Sequence, residues 1–400
     1  MIPLHIWIIN EYAGTPYYGM EFRHYYLGKE LVKKGYSVTI ISSSYSHLFQ
    51  HLPQNKKENI DGIEYLWLKT FNYGLSQDKK RVIKWLLFMF KVFSLPFRLK
   101  RPNIIIVSPM APFTILPAYF LSIMYRSRLI YEVKDIWPLS LIELGRFSIR
   151  HPFIKFMGWF EKFALNKSDI IVSNLQNYGE HIKKDIGIDR KFEWISNGID
   201  LEELKHSVPL DHNLIKQIPK DKFIIGYTGS IGVANAMYYY CNSAKLLINN
   251  DNICFVVVGD GQEKDKLLKE FGDLNNLLFI DSIPKKQVHS MLSLFDICFI
   301  GWNDNNIYHY GTSANKIFDY MYSRKPILNS FSGNGDIVQI ANCGISVEAQ
   351  NTQAISDGIM KLYSMTKEER DILGKNGRDY ILKNFTYEKL AKKYIELFKE

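Results

Sequence analysis

The chain has 400 residues, 46% of them hydrophobic and 23% charged, and its formal net charge is +9 at pH 7. This composition excludes a disordered or fibrous protein, and the length exceeds one ordinary core, so we expect two domains. The charge is uneven, because residues 1–200 carry +10 and residues 201–400 carry −1. A basic half is compatible with nucleic acid, anionic lipid or solvent as its neighbour.

The four cysteines, Cys241, Cys254, Cys298 and Cys343, show no metal-ligand spacing. Cys254 and Cys298 lie in apolar runs, so we expect buried free thiols in a reducing compartment. The N-terminus leads directly into a strand-like run, and no signal peptide is expected.

Short apolar runs alternate with helical patterns in the first half. Strands are predicted at 4–9, 37–43, 63–69, 103–108, 128–135, 169–174 and 192–196. A helix is predicted over 20–34, since its pattern ends at Gly35, as helices often do. Strands that alternate with helices favour a parallel sheet covered on both faces.

The second half repeats this order. Strands are predicted at 223–227, 253–258, 277–281, 297–300 and 326–331, with three helices after residue 351. A polar stretch from 197 to about 221 separates the halves. The predicted fold class is α/β, with two doubly wound, Rossmann-like domains facing each other across a cleft at the carboxyl ends of their sheets.

A glycine-containing turn, Gly14 to Gly19, follows the first strand and precedes a helix that carries Arg23. Ligands of doubly wound folds bind at this place. The glycine spacing is neither the dinucleotide fingerprint nor a P-loop, which argues against a dehydrogenase or an NTPase.

Asp135 stands at the end of a predicted strand, shortly before Pro138. One interpretation makes it a structural cap before proline. The other makes it a base or a polar anchor for a substrate hydroxyl.

Glycines also follow the first two strands of the second half. Gly229 and Ser230 come after one strand, and Gly259, Asp260 and Gly261 come after the next. An ordinary turn explains either loop alone, but two such loops at one edge indicate a close backbone approach to a ligand.

The segment 310–326 is the most informative one. Thr312 and Ser313 precede a predicted helix in which Lys316 and Asp319 share a face. A helix N-terminus suits a phosphate, and a lysine there opposes the helix dipole unless an anion binds. Asp319 is placed to accept hydrogen bonds from sugar hydroxyls. The alternative is a solvated surface Lys–Asp pair.

The segment 79–101 holds eight basic residues and no acidic ones, interleaved with aromatic side chains. Its apolar run is too short to span a bilayer, but such a helix can lie in a membrane interface. The alternative is a packed helix with basic flanks. The predicted membrane-docking residues are Lys80, Arg81, Lys84, Trp85 and Lys91. No nucleic-acid module is present, so nucleic acid is not expected as a partner.

Taken together, these motifs resemble family 4 of the retaining, nucleotide-sugar-dependent glycosyltransferases, which have the GT-B fold. The resemblance covers nearly the whole chain and is greatest to bacterial O-antigen and capsule enzymes, including N-acetyl-deoxyhexosamine transferases. The segments that carry it are 14–19 with its helix, 35–41, 134–138, 196–200, 226–230, 258–261 and 313–321.

The resemblance implies an acceptor domain at 1–205 and a donor domain at 206–383, with a C-terminal helix at about 384–400 packed back on the first domain. It implies catalytic roles for Asp135 and Lys316 and no metal or other cofactor. The implied acceptor-binding residues are Gly19, Arg23 and Asp135. The implied donor-binding residues are Gly14, Gly229, Ser230, Gly259, Asp260, Gly261, Ile283, Thr312, Ser313, Lys316 and Asp319.

Two positions depart from the family pattern. Asp319 matches the second acid of the family's paired-acid motif, but the first acid falls on Gly311. Many relatives also carry an Arg and a Lys in the loop where this chain has Ser230 and Asn235, which leaves Lys316 as the clearest diphosphate cation.

The implied activity is sugar transfer from a UDP-sugar to a polyprenyl-diphosphate-linked saccharide in surface polysaccharide synthesis. The implied location is the cytoplasmic side of a bacterial plasma membrane, bound peripherally to its anionic surface. Two alternatives remain: a GT-B nucleotide-sugar epimerase, which would convert a donor without an acceptor, and a two-domain sugar- or nucleotide-binding protein without turnover.

Overall fold

The computed structural model describes residues 3–19, 21–74 and 80–399. Met20, Lys79 and Glu400, which belong to predicted segments, lie outside the described residues. The chain divides into two compact units, residues 1–197 with 387–400, and residues 198–386. The predicted boundary at 205 lies further along the chain, because the polar stretch after 197 belongs to the second unit.

Within the described residues, the first unit contains an eight-stranded sheet with the order β3-β4-β2-β1-β5-β6-β7-β8. All neighbours are parallel except β3 and β4. The strands are β1 His5–Ile9, β2 Ser37–Ser43, β3 Lys57–Ile60, β4 Ile63–Leu68, β5 Ile104–Val107, β6 Arg128–Val133, β7 Ile170–Ser173 and β8 Phe192–Trp194. The seven predicted strands are confirmed. The short, polar β3 was missed because it has no apolar run.

Helices pack against this sheet, since α1 contacts β2 and β4 and α3 contacts β5 and β6. They are α1 Arg23–Lys33, α2 Lys80–Val92, α3 Ile115–Tyr125, α4 Leu139–Glu143, α5 Pro152–Lys167 and α6 Tyr178–His181. Helix α3 packs against both α2 and α5. The helix predicted from residue 20 begins at Arg23.

The second unit contains, among the described residues, a six-stranded parallel sheet with the order β11-β10-β9-β12-β13-β14. The strands are β9 Phe223–Thr228, β10 Ile253–Val258, β11 Leu277–Ile280, β12 Ile297–Gly301, β13 Ile327–Ser330 and β14 Gly344–Val347. The central strands β9 and β10 are buried along their whole length, so they form the core of the unit. β14 was not predicted.

The helices of this unit are α7 Leu201–Leu204, α8 His212–Ile215, α9 Met237–Leu246, α10 Lys264–Phe271, α11 Val288–Ser293, α12 Asn315–Tyr322, α13 Ile337–Ile340, α14 Thr352–Ser364 and α15 Lys367–Asn384. Short helices α7 and α8 occupy the stretch that was predicted as a linker. The four cysteines are buried and free, as predicted.

The last helix, α16 Tyr387–Leu397, belongs to the first unit. It packs against α1, and the rings of Tyr26 and Tyr387 lie 5.0 Å apart. Helices α14, α15 and α16 are the three that were predicted after residue 351. Among the described helices, none has the length and apolarity needed to cross a membrane.

Candidate functional site

The carboxyl edge of the second sheet brings together three segments that were singled out in the sequence. These are the loop after β9, the loop after β10 and the start of α12. Gly229 has a φ of +141°, and a Cβ added to it would lie 2.9 Å from Nζ of Lys316. Glycine at this position therefore leaves room for the lysine beside the loop backbone.

Lys316 has polar but uncharged partners. Its Nζ donates to the hydroxyl of Tyr227 and to Oδ1 of Asn235, the latter at 2.8 Å. Nζ also lies 4.2 Å from the centroid of the Tyr227 ring. Burial lowers the pKa of Lys316 to about 7, because the ammonium loses hydration without gaining a carboxylate. The site therefore favours an incoming anion.

The surrounding loop holds these partners in place. The hydroxyl of Tyr227 donates to the carbonyl of Ser230 at 2.5 Å, and Ser230 itself is exposed. Neither Tyr227 nor Asn235 was predicted as a site residue. A tyrosine in an apolar strand is normally a core residue, so only the contact with Lys316 identifies its second role.

The glycines after β10 have a packing role. A Cβ on Gly259 would lie 1.9 Å from the carbonyl oxygen of Gly229, and one on Gly261 would lie 2.4 Å from that of Ile231. The amide of Ile231 donates to the carbonyl of Asp260 at 2.8 Å. These glycines therefore let the two loops pack together and fix the loop that faces Lys316.

Helix α12 begins at Asn315 with Ala314 as its N-cap residue, and the preceding Thr312 and Ser313 are both half-buried. Within the described part of the chain, no side chain caps its first turn. Amide groups at an uncapped helix start are suitable donors to an anion. Lys316 lies in this first turn, as predicted.

Asp319 is buried, and both oxygens of its carboxylate have partners. Lys285 donates to Oδ2 at 2.5 Å, and Nε2 of His289 lies 3.2 Å from Oδ1. Burial raises the pKa of Asp319, but Lys285 and His289 outweigh burial and hold the pKa below its ordinary value. Lys316 and Asp319 thus have separate partners and do not form the solvated surface pair that was the alternative.

Lys285 and His289 were missed by the sequence analysis. The available signal was position, because Lys285 lies two residues after Ile283, which the family resemblance gave as a donor-binding residue. Ile283 is half-buried there.

In the first unit, Arg23 was predicted to bind the acceptor, but the structure gives its side chain internal partners. Arg23 is buried, and its guanidinium donates to Glu132 at 2.5 Å and to the carbonyls of Ser196 and Ile195 at 2.5 and 2.7 Å. Nε2 of His24 contacts the second oxygen of Glu132 at 2.7 Å. Arg23 is therefore a structural residue that joins α1 to the sheet.

Asp135 follows β6 and is exposed to solvent. Desolvation raises the pKa of its carboxyl, while the neighbouring Lys134 lowers it. Lys134 forms an ion pair with Glu21. Asp135 therefore lies at the carboxyl end of its strand, as predicted, and part of its surface is open to solvent.

The two predicted glycines near β1 have different surroundings. A Cβ on Gly19 would lie 2.4 Å from the carbonyl oxygen of Leu48, so Gly19 permits close packing of two loops. The carbonyl of Gly14 accepts a hydrogen bond from the hydroxyl of Tyr65 at 3.1 Å. The close contact with Leu48 therefore gives Gly19 a structural role.

Two of the predicted membrane-docking residues are buried, so their side chains are not available to a membrane in this structure. Lys84 is fully buried and Trp85 is 6% exposed, because both face the core side of α2. Lys80 is exposed, whereas Arg81 and Lys91 are half-buried. The sequence pattern could not identify the buried side of α2, because apolar side chains lie on both its buried and its exposed sides.

The buried end of Lys84 belongs to a charged cluster at the carboxyl end of β1. Among the described residues, neither Nζ of Lys84 nor Oε1 of Glu11 has a hydrogen-bond partner. Nζ lies 4.7 Å from the centroid of the Tyr12 ring, and Arg81 donates to the Tyr12 hydroxyl at 3.0 Å. Burial raises the pKa of Glu11 and lowers that of Lys84.

The two units share their fold with solved glycosyltransferase structures. Sucrose-phosphate synthase from Thermosynechococcus elongatus superposes with a TM-score of 0.77 at 15% identity, covering 99% of this chain and 98% of that one. HepE of Anabaena in complex with UDP gives 0.67 at 12% identity, covering 99% and 100%. The E. coli trehalose-6-phosphate structure bound with UDP-2-fluoro glucose gives 0.73 at 12%, covering 99% of both. The fold is therefore GT-B, as predicted.

The family models agree with this fold. Residues 17–203 match Glycosyltransferase Family 4, and residues 213–380 match Glycosyl transferases group 1. Each of these two matches covers somewhat less than half of the chain, and together they support the glycosyltransferase family that the motifs predicted.

Two curated relatives are also glycosyltransferases. An uncharacterized glycosyltransferase of Methanocaldococcus jannaschii is 25% identical over 244 residues, or 59% of this chain and 60% of that protein. The capsular polysaccharide biosynthesis glycosyltransferase CapM of Staphylococcus aureus is 24% identical over 223 residues, or 51% and 54%. The matched segments thus span about half to three-fifths of these relatives.

Proposed function

We propose that the chain is a retaining glycosyltransferase that uses a UDP-sugar as donor. The observation that carries this proposal is Lys316, held by Tyr227 and Asn235 beside Gly229 at the start of α12. A partly buried lysine with neutral partners, next to uncapped helix amides, suits a diphosphate. The UDP bound in HepE and the UDP-2-fluoro glucose in the E. coli structure support the same donor class.

The proposed reaction breaks the bond between the anomeric carbon and the diphosphate oxygen, on which negative charge develops. Lys316 and the first amides of α12 stabilise that charge. The acceptor hydroxyl attacks from the face that the diphosphate leaves, and the departing phosphate oxygen takes its proton, so the configuration is retained. Asp135 orients the acceptor hydroxyl. In this proposal the reaction needs no metal.

Asp319 is assigned to the ribose hydroxyls of the donor. Lys285 and His289 keep its carboxylate ionised and oriented. Each carboxylate oxygen accepts more than one hydrogen bond, so both retain capacity for a hydroxyl. Gly311 offers no side chain at the position of the family's first acid, which fits a donor whose sugar differs from the usual hexoses; an N-acetylated hexosamine or deoxyhexosamine is our assignment.

The proposed acceptor is a polyprenyl-diphosphate-linked saccharide at the cytoplasmic face of a bacterial plasma membrane. The name of the S. aureus relative, a capsular polysaccharide biosynthesis enzyme, supports a role in surface polysaccharide synthesis.

Calorimetry of UDP, GDP, ADP and NAD with the wild type, Lys316→Ala and Asp319→Ala tests the donor site. We expect UDP-selective binding that both substitutions weaken at least about tenfold, since each removes a charge-assisted contact. UDP binding that neither change affects would place the site elsewhere, and binding of NAD alone would overturn the transferase proposal. Turnover of UDP-sugars without an acceptor would instead indicate an epimerase.

A further inference from the structure

Helices α2, α3 and α5 of the first unit present large apolar side chains to solvent. Phe90 on α2 is 64% exposed, and Phe97, five residues beyond the end of α2, is 90% exposed. Phe120 and Ile123 on α3 and Phe156 and Trp159 on α5 are about half exposed. We call these side chains the aromatic face: Phe90, Phe97, Phe120, Ile123, Phe156 and Trp159.

Ring contacts connect the three helices that carry the aromatic face. The ring of Phe93, directly after the end of α2, lies 6.2 Å from that of Phe120 on α3, whose neighbour Tyr119 lies 5.3 Å from Phe163 on α5. Phe163 stacks on Trp159 at 5.5 Å. Large exposed apolar patches mark interaction surfaces, whereas single exposed apolar residues are ordinary.

The charges around the aromatic face have one sign. Helices α2, α3 and α5 contain one acidic residue, Glu161, which is buried and contacts His181 at 3.0 Å. Exposed cations flank the face: Arg98, Arg126, Lys155 and Lys162. An apolar surface with cationic flanks and no exposed acid on its helices complements an anionic bilayer, where aromatic rings enter the interface and cations meet headgroups.

We propose that the aromatic face docks the first unit onto an anionic bilayer. The proposal rests on the proposed function in that the lipid-linked acceptor lies in the membrane to which this face would bind. The docking surface differs from the one predicted from the sequence, in that the buried Lys84 and Trp85 take no part and α3 and α5 contribute as much as α2.

Vesicle flotation of the full chain tests the proposal. The vesicles contain either phosphatidylcholine mixed with phosphatidylglycerol or phosphatidylcholine alone. We expect the wild type to bind the mixed vesicles on the order of tenfold more tightly. The combined variant Phe90→Ser, Phe120→Ser and Trp159→Ser should lose on the order of 100-fold in binding.

A matched control removes two apolar side chains that are exposed to a similar degree in the second unit, Ile340→Ser and Ile372→Ser, at 50% and 59% exposure. This control should bind vesicles as the wild type does. Wild-type protein that floats with neither vesicle, or a combined variant that floats like the wild type, would overturn the proposal. A wild-type dimer that the combined variant abolishes, without vesicle binding, would assign the face to a second copy instead.

UDP calorimetry on the same proteins separates the two proposals. The combined variant should bind UDP like the wild type, because its substitutions lie in the first unit and Lys316 lies in the second. Vesicle binding without UDP binding would sustain docking and refute the donor site. UDP binding without vesicle binding would sustain the donor site and refute membrane docking.

Discussion

At the scale of single residues, the proposed donor site contains two charged side chains with opposite surroundings, the partly buried Lys316 and the buried Asp319. Asp319 has two basic neighbours, whereas Lys316 has a phenol, an amide and an aromatic ring. A cation over a ring gains about 0.5–2 kcal/mol, which does not offset the hydration that a buried ammonium loses. The pKa of Lys316 therefore falls to about 7, while that of Asp319 stays low.

This difference predicts a pH-dependent affinity for UDP. Below pH 7 free Lys316 is protonated, and a bound diphosphate raises its pKa. Above pH 7 the lysine must take up a proton on binding, so affinity should fall about tenfold for each pH unit until the pKa of the bound lysine is reached. Calorimetry at several pH values on both sides of 7, in buffers with different ionisation enthalpies, measures both the slope and the proton uptake.

The control for this prediction is Lys316→Met, which should bind UDP weakly and without the slope above pH 7. Wild-type affinity that stays constant from pH 7 to higher pH would contradict it.

Tyr227 and Asn235 are predicted to position Lys316. Tyr227→Phe keeps the ring and removes the hydroxyl that accepts from Nζ, so UDP should bind about 5- to 10-fold more weakly, the equivalent of one hydrogen bond. Asn235→Ala should have a similar effect, and each variant should shift the pH at which affinity declines. The matched control is Tyr239→Phe, which removes the hydroxyl of a half-buried tyrosine on α9. Unchanged affinity and an unchanged pH profile in both variants would show that Lys316 needs no such support.

At the scale of elements, the loops after β9 and β10 behave as one unit because glycines let their backbones touch. Gly259 has a φ of +155°, and its missing side chain leaves space for the carbonyl of Gly229. The position of that loop sets the position of the Lys316 side chain, so the stability of the loops and the proposed donor site depend on the same contact.

Gly259→Ala is therefore expected to reduce the free energy of unfolding by about 3 kcal/mol, from a strained φ and a backbone clash. Thermal and urea unfolding measure this loss. Gly232→Ala is the control in the neighbouring loop, since its added Cβ would meet only the amide of Asn235 at 3.9 Å. Equal stability of the two variants would argue against the close packing of the loops.

The contact between α1 and β6 depends on an ionised Glu132. Burial raises the pKa of Glu132, but Arg23 and His24 outweigh burial and hold the pKa well below its ordinary value. A carboxyl with a depressed pKa contributes stability above its unfolded-state pKa and loses that contribution as the pH falls below it.

Glu132→Gln should thus cost about 3–5 kcal/mol at neutral pH, because it leaves buried Arg23 without its charge partner. Its loss of stability on acidification should be shallower than that of the wild type. Urea unfolding at pH 7 and at progressively lower pH measures both effects. Glu193→Gln, which removes a partly exposed carboxylate paired with Lys191 at 3.3 Å, should change neither. A parallel acid dependence in wild type and Glu132→Gln would contradict the prediction.

At the scale of the whole molecule, the chain leaves the first unit at residue 197 and returns to it at Tyr387. Helix α16 buries Leu390 and Tyr394 in that unit, although it follows the second unit in sequence. The first unit is therefore complete only when the end of the chain has packed against α1.

Leu390→Ala should consequently destabilise the first unit by about 2–5 kcal/mol, the usual cost of a cavity left by a buried leucine. Hydrogen exchange should accelerate in α1 and α16 and stay unchanged in the core strands β9 and β10. Glu396→Ala, an exposed position of the same helix, is the control. Equal acceleration in both units would mean that they unfold together.

The sequence by itself determined the α/β architecture, because short apolar runs and helical periodicity are local signals that need no partner. It also predicted the motifs at the carboxyl edge of the second sheet, since Gly229, Lys316 and Asp319 follow from turn chemistry and helix spacing. The polar edge strand β3 was missed, as it carries no apolar run.

Only the tertiary structure decided which side chains meet. In the folded chain, Lys316 donates a hydrogen bond to Tyr227 and Lys285 forms an ion pair with Asp319. Arg23 forms a buried ion pair with Glu132. The fold also turned Lys84 inward. These outcomes depend on contacts between residues far apart in sequence, and on which side of a helix the core covers, and neither is encoded in spacing along the chain.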